Sequence, residues 1–295
     1  MKWVVTAMLG LALTPGCQSH AWAYDASGDR QFPSTLLLPQ IAPGDEFYIN
    51  AFTLPQTNGA TRESNLTATY MKTITDDFGF VVEETWTAIG RSGTGTAYGW
   101  QNFDGELKYR ALNDIDHELI LSLGLDRETG GTGATRVSAS PSGATTPRLY
   151  FGKGLGDLDI GYLRPFAIEG FAGFQFADKV PRPDQTQSGF VVEYSIPYLQ
   201  SKVHSFDLPD LIRGLTPMTE FLFTTPAGRS YGARATALIA PGVSYAGEGW
   251  EFAVEALLPQ SRATGSGIGV TAQLHLALDF FFPDSPISKP MIRTP

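Results

Sequence analysis

The side chains that most often bind metals or cofactors are scarce in this chain of 295 residues. Three histidines follow residue 23, namely His117, His204 and His275, and their spacing matches no HExxH motif or other metal-binding pattern. The single cysteine, Cys17, excludes a disulfide framework and any CxxC zinc or redox site. We therefore predict that the protein binds no metal and no cofactor.

His275 and Asp279 come closest to an acid–base pair. They fall on the polar face of one alternating segment, and a serine such as Ser122 or Ser195 could complete a Ser/His/acid set. Nothing in the sequence brings these residues together, and an isolated histidine of this kind is more often a hydrogen-bonded wall residue. The sequence therefore predicts that the chain is not an enzyme, and hydrolysis at His275 is the least favoured hypothesis.

The charge balance excludes another class of protein. The chain has 30 acidic and 21 basic residues, a formal net charge of −9, and no basic run of useful length. Binding to nucleic acid requires a basic surface that neutralises phosphates. The glycine-rich stretches 90–95 and 152–156 also lack the GxxxxGK[ST] spacing of a phosphate loop. We predict no nucleic-acid partner.

The first residues have the order of a secretory signal peptide. Lys2 precedes an apolar run over residues 3–13, a breaker and an A-x-A site at residues 21–23, which predicts a signal peptide over residues 1–23 and cleavage before Tyr24. The apolar run is too short to span a bilayer. Cys17 leaves open a lipoprotein, although Thr14 stands where a lipobox prefers leucine. Export of an acidic, cysteine-free chain indicates the outer membrane or periplasm of a Gram-negative bacterium.

Apolar residues recur with a period of two from residue 64 to residue 281. In the final segment Val270, Ala272, Leu274 and Leu276 share one face, while the other face is polar. Strands of soluble sandwiches are usually about 5 or 6 residues long, whereas a tilted strand that crosses a bilayer needs about 9 to 11. Ten segments of this kind occur, at residues 66–74, 78–88, 103–111, 117–125, 166–176, 190–198, 219–225, 231–243, 250–258 and 268–280.

These segments predict an all-β fold, an antiparallel transmembrane β-barrel of about 10 strands. The number could reach 12, because residues 46–54 or part of 127–164 could supply another pair. We assign residues 24–62 to an irregular N-terminal segment, 63–283 to the barrel and 284–295 to a C-terminal tail. An even strand number returns both termini to the periplasmic side. Residues 158–165 and 208–217 are predicted to form short helical or turn caps at one end.

The polar strand faces distinguish this barrel from a soluble, lipocalin-like one, in which the charged faces would point outward and carry lysine as well as glutamate. Here those faces carry ten acids against three bases, Lys108, Arg110 and Arg234. In a bilayer the polar faces must line the lumen. The residues predicted to line it are Glu83, Asp104, Glu106, Arg110, Glu118, Glu169, Glu193, Glu220, Arg234, Glu251, Glu255, His275 and Asp279.

Two interpretations of this acidic wall stay open. In a narrow barrel the acids could pair with arginine and tyrosine in a hydrogen-bonded plug. Alternatively, the acids could line a pore or pocket that disfavours anions and admits cations or neutral solutes.

Several stretches resemble the outer-membrane transporters grouped with the meta-pathway of phenol degradation. They are GWQN at residues 99–102, GKGLGDL at 152–158, YLRPFAIEG at 162–170, and AQLH at 272–275 with residues 280–283. The resemblance covers roughly residues 46–283. It implies an outer-membrane β-barrel that passes small, often hydrophobic molecules, and it supplies no catalytic residues.

Together these features predict an outer-membrane barrel that acts as a channel or transport component for small solutes, including hydrophobic ones. Its expected partners are outer-membrane lipid and a small-molecule solute. The alternative is a non-transporting structural or scaffold barrel that anchors a periplasmic partner through residues 127–164.

Overall fold

The computed structural model describes residues 25–54, 61–91, 93, 95–228 and 230–292. The predicted signal peptide, residues 1–23, lies outside these residues. In chain order the strands are β1 (Asp25–Ser27), β2 (Arg30–Phe32), β3 (Glu46–Thr53), β4 (Thr61–Thr73), β5 (Phe78–Arg91), β6 (Gly95–Trp100), β7 (Asp104–Asp114), β8 (Leu119–Glu128), β9 (Ala144–Gly154), β10 (Phe166–Ala177), β11 (Asp184–Tyr194), β12 (Leu215–Ala227), β13 (Thr236–Gly247), β14 (Trp250–Pro259) and β15 (Gly269–Ala277).

Twelve antiparallel strands, β3 to β5 and β7 to β15, close into a barrel. The first strand, β3, pairs with the last, β15, from Glu46 opposite Ala277 to Thr53 opposite Val270. Strands β6 and β7 share one position, because β5 pairs with β7 through its first half and with β6 through its second half. The all-β barrel is thus confirmed at the upper bound of twelve strands, and the additional pair is β3 and β9.

Along each strand, side chains point alternately to the outside and to the interior of the barrel. On β15, Val270 points outward and is 54% exposed, whereas the neighbouring Thr271 is fully buried in the interior. Leu66 and Thr67 of β4 show the same contrast. A closed barrel pairs its backbone N–H and C=O groups between strands, which is what a β-structure needs in hydrocarbon. Among the described residues, no helix is long and apolar enough to cross a membrane.

The end of the barrel at which β3 begins and β15 ends is called the proximal end here. It carries the tight turns 74–77, 115–118 and 248–249 and the longer connections 155–165 and 195–214. These connections contain a 3-10 turn (Gly161–Leu163), α1 (Ile196–Tyr198) followed by a π-helical turn (Leu199–Val203), and α2 (Asp210–Arg213). The helical caps predicted at residues 158–165 and 208–217 therefore lie at the same end.

The chain leaves the barrel at the proximal end through α3 (Leu278–Phe281) and a 3-10 turn (Pro286–Ser288). There Ile292 N–H donates to Ile74 O at 2.7 Å. The opposite, distal end carries connections 129–143, 178–183, 228–235 and 260–268. Residues 127–164 thus form no single loop, because β9 crosses the barrel within them and divides them between the two ends.

The barrel starts earlier in the sequence than the pattern indicated. Strand β3 begins at Glu46, inside the segment assigned as irregular, and residues 25–45 precede it. These residues, called the N-terminal segment below, lie inside the barrel. A short hairpin of β1 and β2 opens the segment, with Asp25 opposite Phe32.

Candidate functional site

The lumen is occupied by the N-terminal segment. Its apolar side chains pack against wall residues in one buried cluster, made of Phe32, Leu38, Ile41 and Ala42 from the segment and Ile120, Tyr150, Ala167 and Phe171 from the wall. Burial of each large apolar side chain contributes about 1.5 to 3 kcal/mol. The segment is therefore packed as part of the interior.

Wall carboxylates bind the backbone of this segment. After the β1–β2 hairpin, Pro33, Pro39 and Pro43 keep the rest of the segment out of a sheet, so its N–H groups need other acceptors. The N–H groups of Leu36, Leu37 and Leu38 donate to the Glu220 carboxylate at 2.6, 3.1 and 2.9 Å. Ser34 N–H donates to Glu251 at 3.0 Å. Part of the acidic wall thus holds a peptide backbone.

Arg30 fixes the segment at the proximal end. Its buried guanidinium donates to Glu118 Oε2 and to the carbonyl of Pro165, both at 3.1 Å, and lies 4.0 Å from the centre of the Tyr198 ring. Tyr198 in turn donates to Glu118 at 2.8 Å. Burial and this bond to Glu118 raise the pKa of Tyr198 to about 12, so the phenol stays a donor at physiological pH.

Two of the motifs that carry the family resemblance build this receptor for Arg30. Glu118 lies directly over Gly154 and Gly156 of the GKGLG motif, where a Cβ would overlap its carboxylate. The N–H of Gly156 donates to Glu118 at 3.0 Å. In the YLRP motif, Arg164 supplies a carbonyl for Arg30 and its own side chain donates to Gly156 O at 2.6 Å. The motifs therefore position a single ion pair.

His275 lies between two carboxylates and the segment. Its Nδ1 contacts Ser34 Oγ, its Nε2 is 3.3 Å from Glu46 Oε2, and its Nδ1 is 3.9 Å from Glu251. Tyr48 stacks on the imidazole with 4.2 Å between ring centres. This set resembles a hydrolase triad in composition, but Ser34 and His275 are both buried where the segment packs against the wall. The arrangement is that of a clamp on the segment.

The two serines considered from the sequence lie elsewhere. Ser122 is buried on β8, and Ser195 accepts the N–H of Tyr198 at the start of α1. Among the described residues, no group of three or more histidine, cysteine or acidic side chains has the geometry of a metal site.

A cavity of about 340 Å³ remains between the segment and the wall formed by β3 to β9. This volume corresponds to about ten water molecules. Residues 35–40 of the segment form one side of the cavity. The charged residues that line it are Glu83, Asp104, Glu106, Asp126, Lys108 and Arg148.

The two bases of the cavity neutralise only part of its acidic wall. Arg148 pairs with Asp126 at 3.0 Å, and Lys108 lies 3.5 Å from Glu106. Glu83 and Asp104 face each other on β5 and β7, and the hydroxyl of Thr69 donates to Glu83 at 2.9 Å. Four carboxyls against two basic groups give the cavity a negative formal balance.

The structure places the predicted lumen residues in three groups. Glu83, Asp104, Glu106, Glu169, Glu193, Glu220, Glu251, Glu255 and His275 lie on inner strand faces. Glu118 lies in the proximal turn before β8, and Arg110 lies at the proximal mouth, where it bonds to Asp77 at 2.9 Å. Arg234 and Asp279 lie outside the lumen.

The last two placements correct the sequence analysis, and each has a local cause. Strand β13 begins at Thr236 rather than residue 231, because Tyr231 and Gly232 adopt positive φ, which ends extended pairing. Arg234 is therefore an exposed loop residue. Strand β15 ends at Ala277 because neither neighbouring strand extends further, and Asp279 falls in α3.

Sequence reasoning missed Arg30, Asp126, Arg148 and Tyr150. A signal for two of them was present, since Thr146, Arg148 and Tyr150 alternate with Pro147, Leu149 and Phe151 on β9. Arg30 offered none, because it lies in a segment without periodicity.

Comparison with known proteins supports the fold. No protein-family model matches the chain, and no curated protein matches it in sequence. An outer-membrane channel from Pseudomonas putida F1 superposes with a TM-score of 0.56 at 12% identity, covering 84% of this chain and 99% of that one. The KdgM porin and the NanC porin each superpose with a TM-score of 0.47, at 10% and 9% identity, covering 78% of this chain and 98% and 97% of theirs. The likeness to the channel establishes an outer-membrane type of β-barrel.

Proposed function

We propose that the protein is an outer-membrane channel component for small solutes and that it favours cations and neutral molecules over anions. The observation that carries the proposal is the cavity beside the N-terminal segment, whose four carboxyls outnumber its two bases. Charged rings of one sign select against ions of that sign, because a narrow, low-dielectric passage strengthens each interaction.

The outward apolar belt and the proximal position of Asp25 and Ile292, the first and last described residues, support a location in the outer membrane of a Gram-negative bacterium. In that location the proximal end, where Asp25 and Ile292 lie, faces the periplasm and the distal end faces the medium.

The N-terminal segment restricts the passage to small molecules. It fills the side of the lumen next to Glu220 and Glu251 and leaves free the side next to β3 to β9. The resemblance to the phenol-pathway transporters is consistent with a channel for small solutes. The polar cavity supports small polar solutes at least as well as hydrophobic ones, and phenol itself has no specific support.

The test is conductance of the full-length mature protein in planar bilayers under a salt gradient. We expect a small, cation-preferring conductance in the wild type. The double variant Glu83→Gln/Asp104→Asn should lower the ratio of cation to anion permeability by about threefold, because it removes the two carboxyls that face each other across β5 and β7.

Glu84→Gln is the matched control, since Glu84 lies on the same strand but on the face opposite Glu83. Its selectivity should equal that of the wild type. Absence of any conductance or solute flux in correctly folded protein would contradict the proposal and favour a scaffold barrel. Equal selectivity changes in both variants would contradict the role of the cavity.

A further inference from the structure

The distal end carries an arc of exposed arginines on one side of the barrel. Arg62 lies on the outward face of β4, Arg234 lies two residues before β13, and Arg262 lies just after β14. The connections that hold Arg234 and Arg262 are joined, because Ser261 Oγ donates to Ala235 O at 3.5 Å and Ala237 N–H donates to Thr264 Oγ1 at 2.9 Å. We call these three residues the distal arginine arc.

Strands β12 to β15 supply this side with no outward-facing acid, and Glu63, next to Arg62, lies on the inner face of β4. Residues 221–247 and 256–278 contain no aspartate or glutamate. Of the three acids between them, Glu248 lies in the proximal turn, and Glu251 and Glu255 point into the lumen. Among the described residues, none of the three arginines forms an ion pair with a carboxylate of the chain.

The other side of the same rim is built differently. There Arg127 pairs with Asp178 at 2.6 Å, and Arg182 pairs with Glu128 at 2.5 Å. The pairing with Arg127 holds the pKa of Asp178 below its usual range. Two arginines of this other side are therefore neutralised within the chain, whereas none of the three arginines of the arc is.

The arc lies immediately above the apolar belt. Ile268 and Val270 are 72% and 54% exposed at the distal start of β15, between the strands that carry the arginines. Long basic side chains at such a boundary keep their stems on the apolar surface and place their charge at the level of lipid headgroups. Guanidinium groups bind phosphate with two parallel hydrogen bonds.

We propose that the distal arginine arc binds the phosphate groups of a phosphorylated glycolipid in the outer leaflet. The occupant must combine acyl chains, which cover the exposed Ile268 and Val270, with anionic groups at the membrane surface. This inference rests on the outer-membrane location and is independent of what passes through the lumen.

The test compares lipid retained by the detergent-purified protein, measured by native mass spectrometry. The probes are a bis-phosphorylated glucosamine lipid, its dephosphorylated form and inorganic phosphate. The wild type should retain the phosphorylated lipid in preference to the dephosphorylated one. The variant Arg62→Gln/Arg234→Gln/Arg262→Gln should retain at least about tenfold less of it, because three charge-assisted contacts are lost.

The matched control is Arg127→Gln/Lys179→Gln/Arg182→Gln, which removes three positive charges from the acid-paired side of the same rim. It should change lipid retention by less than about twofold. Heat-modifiable migration on gels verifies that each variant is folded. Equal losses in both variants, or equal retention of the dephosphorylated lipid, would overturn the proposal. Conductance should be unchanged in the variant of the distal arginine arc. A negative result for lipid binding can therefore be distinguished from a negative result for the proposed channel function.

Discussion

The individual carboxyls of the lumen serve different purposes, although the sequence presents them as one acidic face. Glu220 accepts three consecutive backbone N–H groups of the N-terminal segment. The buried carboxyl of Glu255 lies close enough to that of Glu220 for the two to interact. Glu220 therefore stabilises the segment, whereas Glu255 adds a second acidic group to the same buried region.

This difference predicts opposite effects for two chemically identical substitutions. Glu220→Gln should weaken docking of the segment by about 2 kcal/mol, because an amide is a poorer acceptor and its NH2 group faces other N–H donors. Glu255→Gln should be neutral or stabilising by about 1 kcal/mol, because it removes an unfavourable like-charge contact. Protease cleavage within the segment and the thermal unfolding midpoint in detergent measure the two effects. Destabilisation of similar size in both variants would contradict this assignment.

At the scale of elements, the connection after β9 depends on two glycines. Glu118 passes over Gly154 and Gly156 to reach Arg30, and a Cβ on Gly154 would also lie 2.5 Å from Arg30 Nε. The glycines of the GKGLG motif are thus explained by close approach of a side chain rather than by phosphate binding.

Gly154→Ala should therefore displace the Glu118–Arg30 pair and expose the segment to protease at least about fivefold more, because a buried ion pair with one displaced partner is strongly destabilising. Gly90→Ala is the control, since a Cβ there would meet only ordinary contacts at 3.7 Å or more. If both variants are cleaved at the wild-type rate, the glycine is not needed for this contact.

The sequence could predict the strands in which apolar and polar residues alternate regularly. Ten strands follow from alternation because each is apolar on its outward face and polar toward the lumen. Strand β9 is harder to recognise because Pro147 interrupts its outward face, and β3 because it follows a proline-rich stretch. The position of the N-terminal segment had no local signal, since its N–H groups are satisfied by wall side chains distant in sequence, such as Glu220 and Glu251.

For the whole molecule, docking of the N-terminal segment links the lumen to protons. Asp25 opens the segment and accepts the N–H of Ala42 at 3.0 Å. Burial, and next the carboxylate of Glu46 on β3, raise the pKa of Asp25 to about 7, against the opposing influence of Lys108 and Arg110 on β7. In the released segment the pKa of an aspartate is about 3.9.

The docked state therefore binds a proton more tightly than the released state, and docking must weaken as pH rises from about 4 to about 7. The docking equilibrium should change by at most about tenfold per pH unit in this window and level off above it. Channel openings should accordingly be more frequent at pH 8 than at pH 5. In Asp25→Asn the frequency of openings should stay at its low-pH level across this range.

Asp157→Asn is the control at the same end, because bonding to Lys153 lowers the pKa of Asp157 out of the window. A wild-type profile that is flat between pH 5 and 8, or one that Asp25→Asn leaves unchanged, would show that Asp25 does not govern docking.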